Sequence, residues 1–130
     1  MTIVLTGSIA YDYLMTFPGR FRDHILPDKL DHLSLSVLVD HMIRRRGGVA
    51  ANIAYTMALL EEHPIVMATV GEDFEEYRAW LSYHGVDTSG IRVVLGLFTA
   101  SFFVNTDETG AQIATFYTGA MSRAGDLRFA

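Results

Sequence analysis

Gly47-Gly48-Val49-Ala50-Ala51-Asn52-Ile53-Ala54-Tyr55-Thr56-Met57-Ala58-Leu59-Leu60 is the stretch on which the reading of this chain turns. Two glycines follow a strand-like segment and open a helix of small residues that carries one amide side chain, Asn52. Without a Cβ, glycines let a backbone pass close to a ligand. The helix start behind them offers unpaired N–H groups and the positive end of a dipole, which suit hydroxyls and phosphates. Asn52, in the first turn, brings a donor and an acceptor to the same place. The same letters also read as a plain structural device, a tight turn followed by an alanine helix packed on a sheet. Spacing alone does not separate the two.

On either side of this stretch the pattern is α/β. Ile3 to Thr6 is a short apolar run ended by Gly7 and reads as a buried strand. Tyr13 to Phe17 reads as a second strand, stopped by Pro18-Gly19. Phe21 to Leu30 holds a helical turn broken by Pro27, and Leu33 to Val39 alternates Leu33, Leu35 and Val37 against Ser34 and Ser36, as a strand with one wet face does. The helix from about Ala50 to Glu61 is expected to bury Ile53, Met57 and Leu60. Ile65 to Val70 is another buried-strand run, and Asp73 is expected to cap a helix carrying Phe74, Tyr77, Leu81 and His84 on one stripe and ending at Gly85. Strands alternating with helices predict a parallel sheet covered by helices, in one domain over residues 1–130.

Composition narrows the function classes. The net charge of −5 argues against nucleic acid as a partner. Arg44-Arg45-Arg46 is too short a basic run to change that and reads as a solvated strand end. There is no cysteine, so disulfides, thiolate metal sites and cysteine nucleophiles are excluded. His24, His32, His41, His63 and His84 show no metal-ligand spacing, so no metal site is expected. No apolar run reaches membrane-spanning length, and Met1 to Leu5 reads as a strand rather than a signal peptide; a cytoplasmic location with no membrane partner is the expectation.

Two further features carry chemistry. Asp107-Glu108-Thr109-Gly110 is a turn signal between β-rich runs, so Ile91–Val104 and Ala111–Thr118 read as a hairpin. With Gly110 at positive φ in a three-residue loop, Asp107 pairs with Ala111, Thr106 with Gln112, Val104 with Ala114, and Phe102 with Phe116. One face then presents two rings and an amide, suited to holding a flat base; two core phenylalanines under a sheet are the plain alternative. Asp12 falls just after the first strand, where α/β sheets place ligand sites, and a carboxylate accepts two hydroxyls of a vicinal diol. A turn or helix-cap aspartate is the plain alternative there.

Gly7-Ser8-Ile9-Ala10-Tyr11-Asp12, the Gly47 to Leu60 block, Val70-Gly71-Glu72-Asp73-Phe74 and Leu81 to Thr88 together resemble the ribokinase-like (PfkB) sugar and nucleoside kinases, in that family's order and spacing. Phe17-Pro18-Gly19-Arg20-Phe21, Leu33-Ser34-Leu35-Ser36, Arg46 to Ala50, Asp73-Phe74 with Tyr77-Arg78, and Ala111 to Tyr117 with Gly119 to Ser122 are most similar to its bacterial adenosine kinases of the actinobacterial type. The chain departs from the pattern at Ala51, where glycine is common, and at Leu60-Glu61-Glu62, where glycine often ends the helix.

The resemblance implies a three-layer α/β/α domain with a small β-sheet lid, built from segments around residues 13–18, 33–46 and 92–118. It implies that Asp12 holds the ribose hydroxyls with Gly47, Gly48 and Asn52, that Ser8 and Ser36 line the same pocket, and that Phe102, Phe116 and Gln112 enclose the base. It implies ATP and Mg2+, a possible monovalent cation, and a homodimer through the lid. Family members are more than twice as long and carry the catalytic aspartate and nucleotide site in their C-terminal half. Arg123-Ala124-Gly125-Asp126 imitates that aspartate's motif but comes too early and is a loop. The expectation is therefore an incomplete domain, the substrate-binding part of a kinase, with no catalytic residue of its own and without turnover alone. Adenosine 5′-phosphorylation, phosphorylation of ribose or a related sugar, and a non-catalytic nucleoside-binding or dimerisation module are the three functions that remain.

Overall fold

The computed structural model describes residues 1–128. In chain order the elements are β1 (Val4–Thr6), β2 (Ala10–Thr16), β3 (His41–Gly47), α1 (Val49–Leu59), β4 (Ile65–Val70), α2 (Glu75–Tyr83), β5 (Ile91–Val93), β6 (Ala100–Thr106) and β7 (Gln112–Tyr117), with short 3-10 turns between some of them. They form two sheets. A parallel sheet of order β1-β4-β5 makes the body, and a mixed sheet of order β3-β2-β6-β7 projects from it.

The body is built by buried β-branched runs. Val66, Ala68, Thr69 and Val70 of β4 are buried, as a central parallel strand covered on its faces requires. On α2 the expected stripe holds for Phe74, Tyr77 and Leu81, all buried, and Gly85 ends the helix at φ 91°. On α1 the expected stripe does not hold. Ala50, Ala51 and Ala54 are buried, whereas Ile53 and Leu60 are exposed. Three alanines on one face bring a helix backbone close to a sheet, and the larger side chains are then displaced outward. Where glycine is common at the end of this helix, Glu61 takes the left-handed conformation at φ 66°, a strain of about 1 kcal/mol for a residue with a Cβ.

The second sheet corrects three expectations. The strand read as starting at Tyr13 starts at Ala10, so Asp12 lies inside a strand rather than in the loop before it. Residues 33–39 form no strand; the strand is His41–Gly47. Alternation reports which way side chains face, not whether the backbone is paired. β2 has β3 on one edge and β6 on the other, and the Leu33–Val39 stretch pairs with no strand and lies on the sheet instead, with Leu33, Leu35 and Val37 lining a hollow beside Phe21, Asn105 and Ile113. Asp73 does not cap α2: its Oδ1 accepts from the backbone N–H of Thr99 at 2.8 Å and from the Thr99 hydroxyl at 2.7 Å. It thereby ties the start of α2 to the connection that enters β6.

The hairpin has the expected register, with Thr106↔Gln112, Val104↔Ala114 and Phe102↔Phe116, and Gly110 at φ 86°, but its first arm is Ala100–Thr106 and not the whole run from Ile91, because Ile91–Val93 pairs with β4 in the body sheet. Its turn is fastened by Asp107. Oδ1 accepts from Thr109 N (2.9 Å), Thr109 Oγ1 (2.7 Å) and Ala111 N (3.0 Å), and Oδ2 accepts from Phe21 N (2.9 Å). Burial pushes this carboxyl's pKa up, but four hydrogen bonds to the charged form outweigh it and hold the group at about 2, below the ordinary 3.8. A pKa lowered by folding stabilises the folded form above the ordinary value, and that contribution is lost as pH falls from about 4 to about 2. Thermal midpoints of the wild type should fall through this window. In Asp107→Asn the midpoint should be lower at pH 7 and should vary less between pH 4 and 2.

Candidate functional site

Strand pairing places the residues singled out above in one row. β2 and β6 align Asp12 with Phe102, β6 and β7 align Phe102 with Phe116, and β2 and β3 align Asp12 with Arg45. Residues directly opposite one another share a face, so Arg45, Asp12, Phe102 and Phe116 cross the four-stranded sheet side by side on one surface. Gln112 is on that surface too, four residues before Phe116, with its Nε2 donating to Thr106 Oγ1 at 3.2 Å. The two phenylalanines point the same way, so they make one wall for a flat ring and not both sides of a slot. Among the described residues the Asp12 carboxylate has no hydrogen bond or ion pair, which leaves both oxygens free to accept.

The two glycines are not equivalent. A Cβ on Gly47 would stand 2.7 Å from Asp12 Oδ2, so this glycine makes room for the carboxylate. Gly48 has φ 96° and ψ 136°, and a Cβ there would meet Ile9 Cα and Ser8 O at 2.5 Å. The protein atoms that approach it most closely are backbone. Ser8 has a structural bond as well: its Oγ accepts from Val49 N at 2.9 Å, occupying one of the free N–H groups at the start of α1. Asn52 is exposed in the first turn of the same helix. Ser36 is not brought to the row. Its neighbours Leu35 and Val37 rest beside Asn105 and Ile113, which alternate with Phe102 and Phe116 and therefore face the other way.

Behind the row the sheet is held to α2. Tyr77 donates its hydroxyl to Gly47 O at 2.8 Å, and Tyr11 donates to Asp73 O at 3.2 Å. Burial pushes the Tyr77 hydroxyl up and carries Tyr11 to about 12, so both remain protonated donors. Arg46 pairs with Glu76 and lies over Trp80 at 4.8 Å; Arg44 reaches the same carboxylate at 3.9 Å and lies over Tyr11 at 4.4 Å. The arginine run is the solvated end of β3, as expected, and two of its three side chains also reach Glu76. Sequence reading missed these contacts because Glu76 and Tyr77 are about thirty residues from their partners.

Two hollows flank the sheet roots. One of about 500 Å3 lies at Thr6, Gly7 and Ser8 beside Met121 and Leu127. The other, about 690 Å3, lies on the reverse face between Tyr13, Phe98, Phe103 and Tyr117, where Tyr13 and Phe103 stack at 4.7 Å. Among the described residues no group of three or more His, Cys, Asp or Glu could hold a metal ion. No helix among the described residues is long and apolar enough to cross a membrane.

The sequence profile of the pfkB family carbohydrate kinases matches residues 10–129. The chain belongs to this family. It is 32% identical over 120 residues to a nucleoside kinase of Methanothermobacter thermautotrophicus, covering 91% of this chain and 36% of the relative. The structure of Burkholderia thailandensis nucleoside kinase in complex with inosine matches 98% of this chain and 40% of its own, at 37% identity and a TM-score of 0.76. At 19% identity, ribokinase from Cryptococcus neoformans var. grubii serotype A, solved with ADP, matches 92% of this chain and 35% of its own with a TM-score of 0.77, which bears on the fold alone. The fold is the ribokinase-like α/β fold, and this chain spans less than half the length of each of these proteins.

Proposed function

We propose that this chain is the substrate-binding part of a nucleoside kinase that transfers the ATP γ-phosphoryl group to the 5′-hydroxyl of adenosine. The observation that carries this reading is the row Asp12–Phe102–Phe116 on one face of the projecting sheet. Its order matches a nucleoside: a carboxylate for the ribose diol, then two rings to stack a base. Relatives named as nucleoside kinases, one of them solved with inosine, support it. Gln112 offers the edge of a base a hydrogen-bond acceptor. With Nε2 bonded to Thr106, its free Oε1 is an acceptor that suits an exocyclic amino group.

In this reading Asp12 accepts from the 2′- and 3′-hydroxyls, beside the space left by Gly47. Asn52 at the start of α1 adds a donor and an acceptor to the sugar, and Gly48 sets the turn that places that helix. Phe102 and Phe116 exclude water from one face of the base. The projecting sheet acts as a lid; closing over the nucleoside, it keeps water from competing with the 5′-hydroxyl for the phosphoryl group. ATP binding and the catalytic base belong to residues outside this row.

The test is acceptor specificity of the full-length protein with adenosine, inosine and free ribose. AMP formation with the highest kcat/KM on adenosine is expected; phosphorylation of ribose in preference to both nucleosides would make this a sugar kinase. Base stacking on an aromatic side chain contributes about 1–3 kcal/mol. Phe116→Ala should therefore raise the nucleoside KM at least about fivefold while leaving any turnover of ribose unchanged. Equal loss on nucleoside and ribose would remove base stacking from the account.

A further inference from the structure

The projecting sheet meets the body where β3 runs into Gly47 and Gly48, and this root is gripped from behind by α2. The grip has two parts of different strength. The Arg46–Glu76 pair is exposed, with more than half of the Glu76 side chain in contact with solvent, and exposed pairs contribute little. The hydroxyl of Tyr77, a residue only 1% exposed, meets Gly47 O at 2.8 Å in a buried bond, where water does not compete. Arg46 adds its contact over Trp80, so adjacent residues of β3 are tied to adjacent or nearby residues of α2.

Gly47 is also the residue against which the Asp12 carboxylate rests, too closely for a Cβ to intervene. The Tyr77 hydroxyl and the Asp12 carboxylate therefore meet at one residue, although neither touches the other. A shift of the Gly47 peptide changes the space beside the Asp12 carboxylate.

We propose that Tyr77, through Gly47, and Glu76, through the neighbouring Arg46, are positioning residues for the nucleoside site that act on Asp12. The proposal rests on the nucleoside-kinase reading and adds to it a requirement on α2, an element that contributes no residue to the row. A positioning role differs from general stabilisation in what it moves. Nucleoside binding should suffer, while ATP binding and the chemical step on bound substrate should not.

Tyr77→Phe keeps the ring among Tyr11, Phe74 and Trp80 and removes the hydroxyl alone. In the full-length protein it should raise the nucleoside KM about fivefold, with kcat and the ATP KM within about twofold of wild type. An unchanged nucleoside KM would overturn the proposal, as would parallel losses in nucleoside KM, ATP KM and kcat. Should Tyr77→Phe fail to fold, Glu76→Gln on the exposed side of the same grip carries the test, with the same split expected at about two- to threefold; no split there also overturns it. A wild-type protein that phosphorylates no nucleoside would bring down the functional reading and this one with it. An active wild type matched by both variants would bring down this one alone.

Discussion

Asp12→Ala should lower kcat/KM for adenosine at least about a hundredfold while the protein remains folded. A hydrogen bond to a charged group contributes about 1.5–3 kcal/mol. Two from a ribose diol to one carboxylate give about 3–6 kcal/mol, and a hundredfold corresponds to only about 2.7 kcal/mol. The fold should tolerate the change because the Asp12 carboxylate has no partner among the described residues whose loss would leave a buried group unpaired. Steady-state kinetics together with a thermal midpoint distinguish the two effects. A fall below tenfold would mean that Asp12 does not hold the diol; a collapsed midpoint would mean that it has a structural role instead. Gly47→Ala should act in the same direction, because its Cβ would displace the Asp12 carboxylate, the movable end of a side chain.

Gly48→Ala, one residue on, should unfold the protein or come close to it. Its backbone sits at φ 96° and ψ 136°, a region that costs a residue with a Cβ about 1–3 kcal/mol. The new methyl would also press on Ile9 Cα, Ser8 O and Ala10 N, at 2.5, 2.5 and 2.8 Å. These are backbone atoms that no rotamer change can clear, and overpacking of this kind costs about 1–3 kcal/mol more. The sum, about 2–6 kcal/mol, is a large part of the 5–15 kcal/mol that holds a typical domain together. Denaturant titration measures it directly. A loss under about 1 kcal/mol would show that the turn relaxes and that the second glycine is dispensable. The two glycines differ in what surrounds them: a movable carboxylate at Gly47, fixed backbone at Gly48.

That difference shows how far the letters could be read. A Gly-Gly before a helix announced a close approach, but a sequence does not say whether a ligand or another strand does the approaching. At Gly48 it is the backbone of Ser8 to Ala10, more than thirty residues away in the chain. The same gap explains the misplaced strand at residues 33–39. Its alternation correctly describes which side chains turn inward, yet the segment packs on the sheet face beside Asn105 and Ile113 and pairs with no strand. It explains α1 too, where apolar periodicity pointed to Ile53, Met57 and Leu60, but the distance between helix and sheet was set by Ala50, Ala51 and Ala54.

What the sequence determined by itself was local: the hairpin and its register, because Gly110 admits one turn geometry and period two does the rest; β4 and α2, because a buried β-branched run and a helical apolar stripe leave little choice; and the residue types a nucleoside needs. What only the tertiary structure decided was the company those residues keep. It set Asp12, Phe102 and Phe116 in one row across three strands, turned Ser36 away from it, made Asp73 a tie to Thr99 rather than a cap, and brought Tyr77 under Gly47. Each is a contact between segments distant in sequence, and such contacts are chosen by which edges and faces remain unfilled once the local elements have formed.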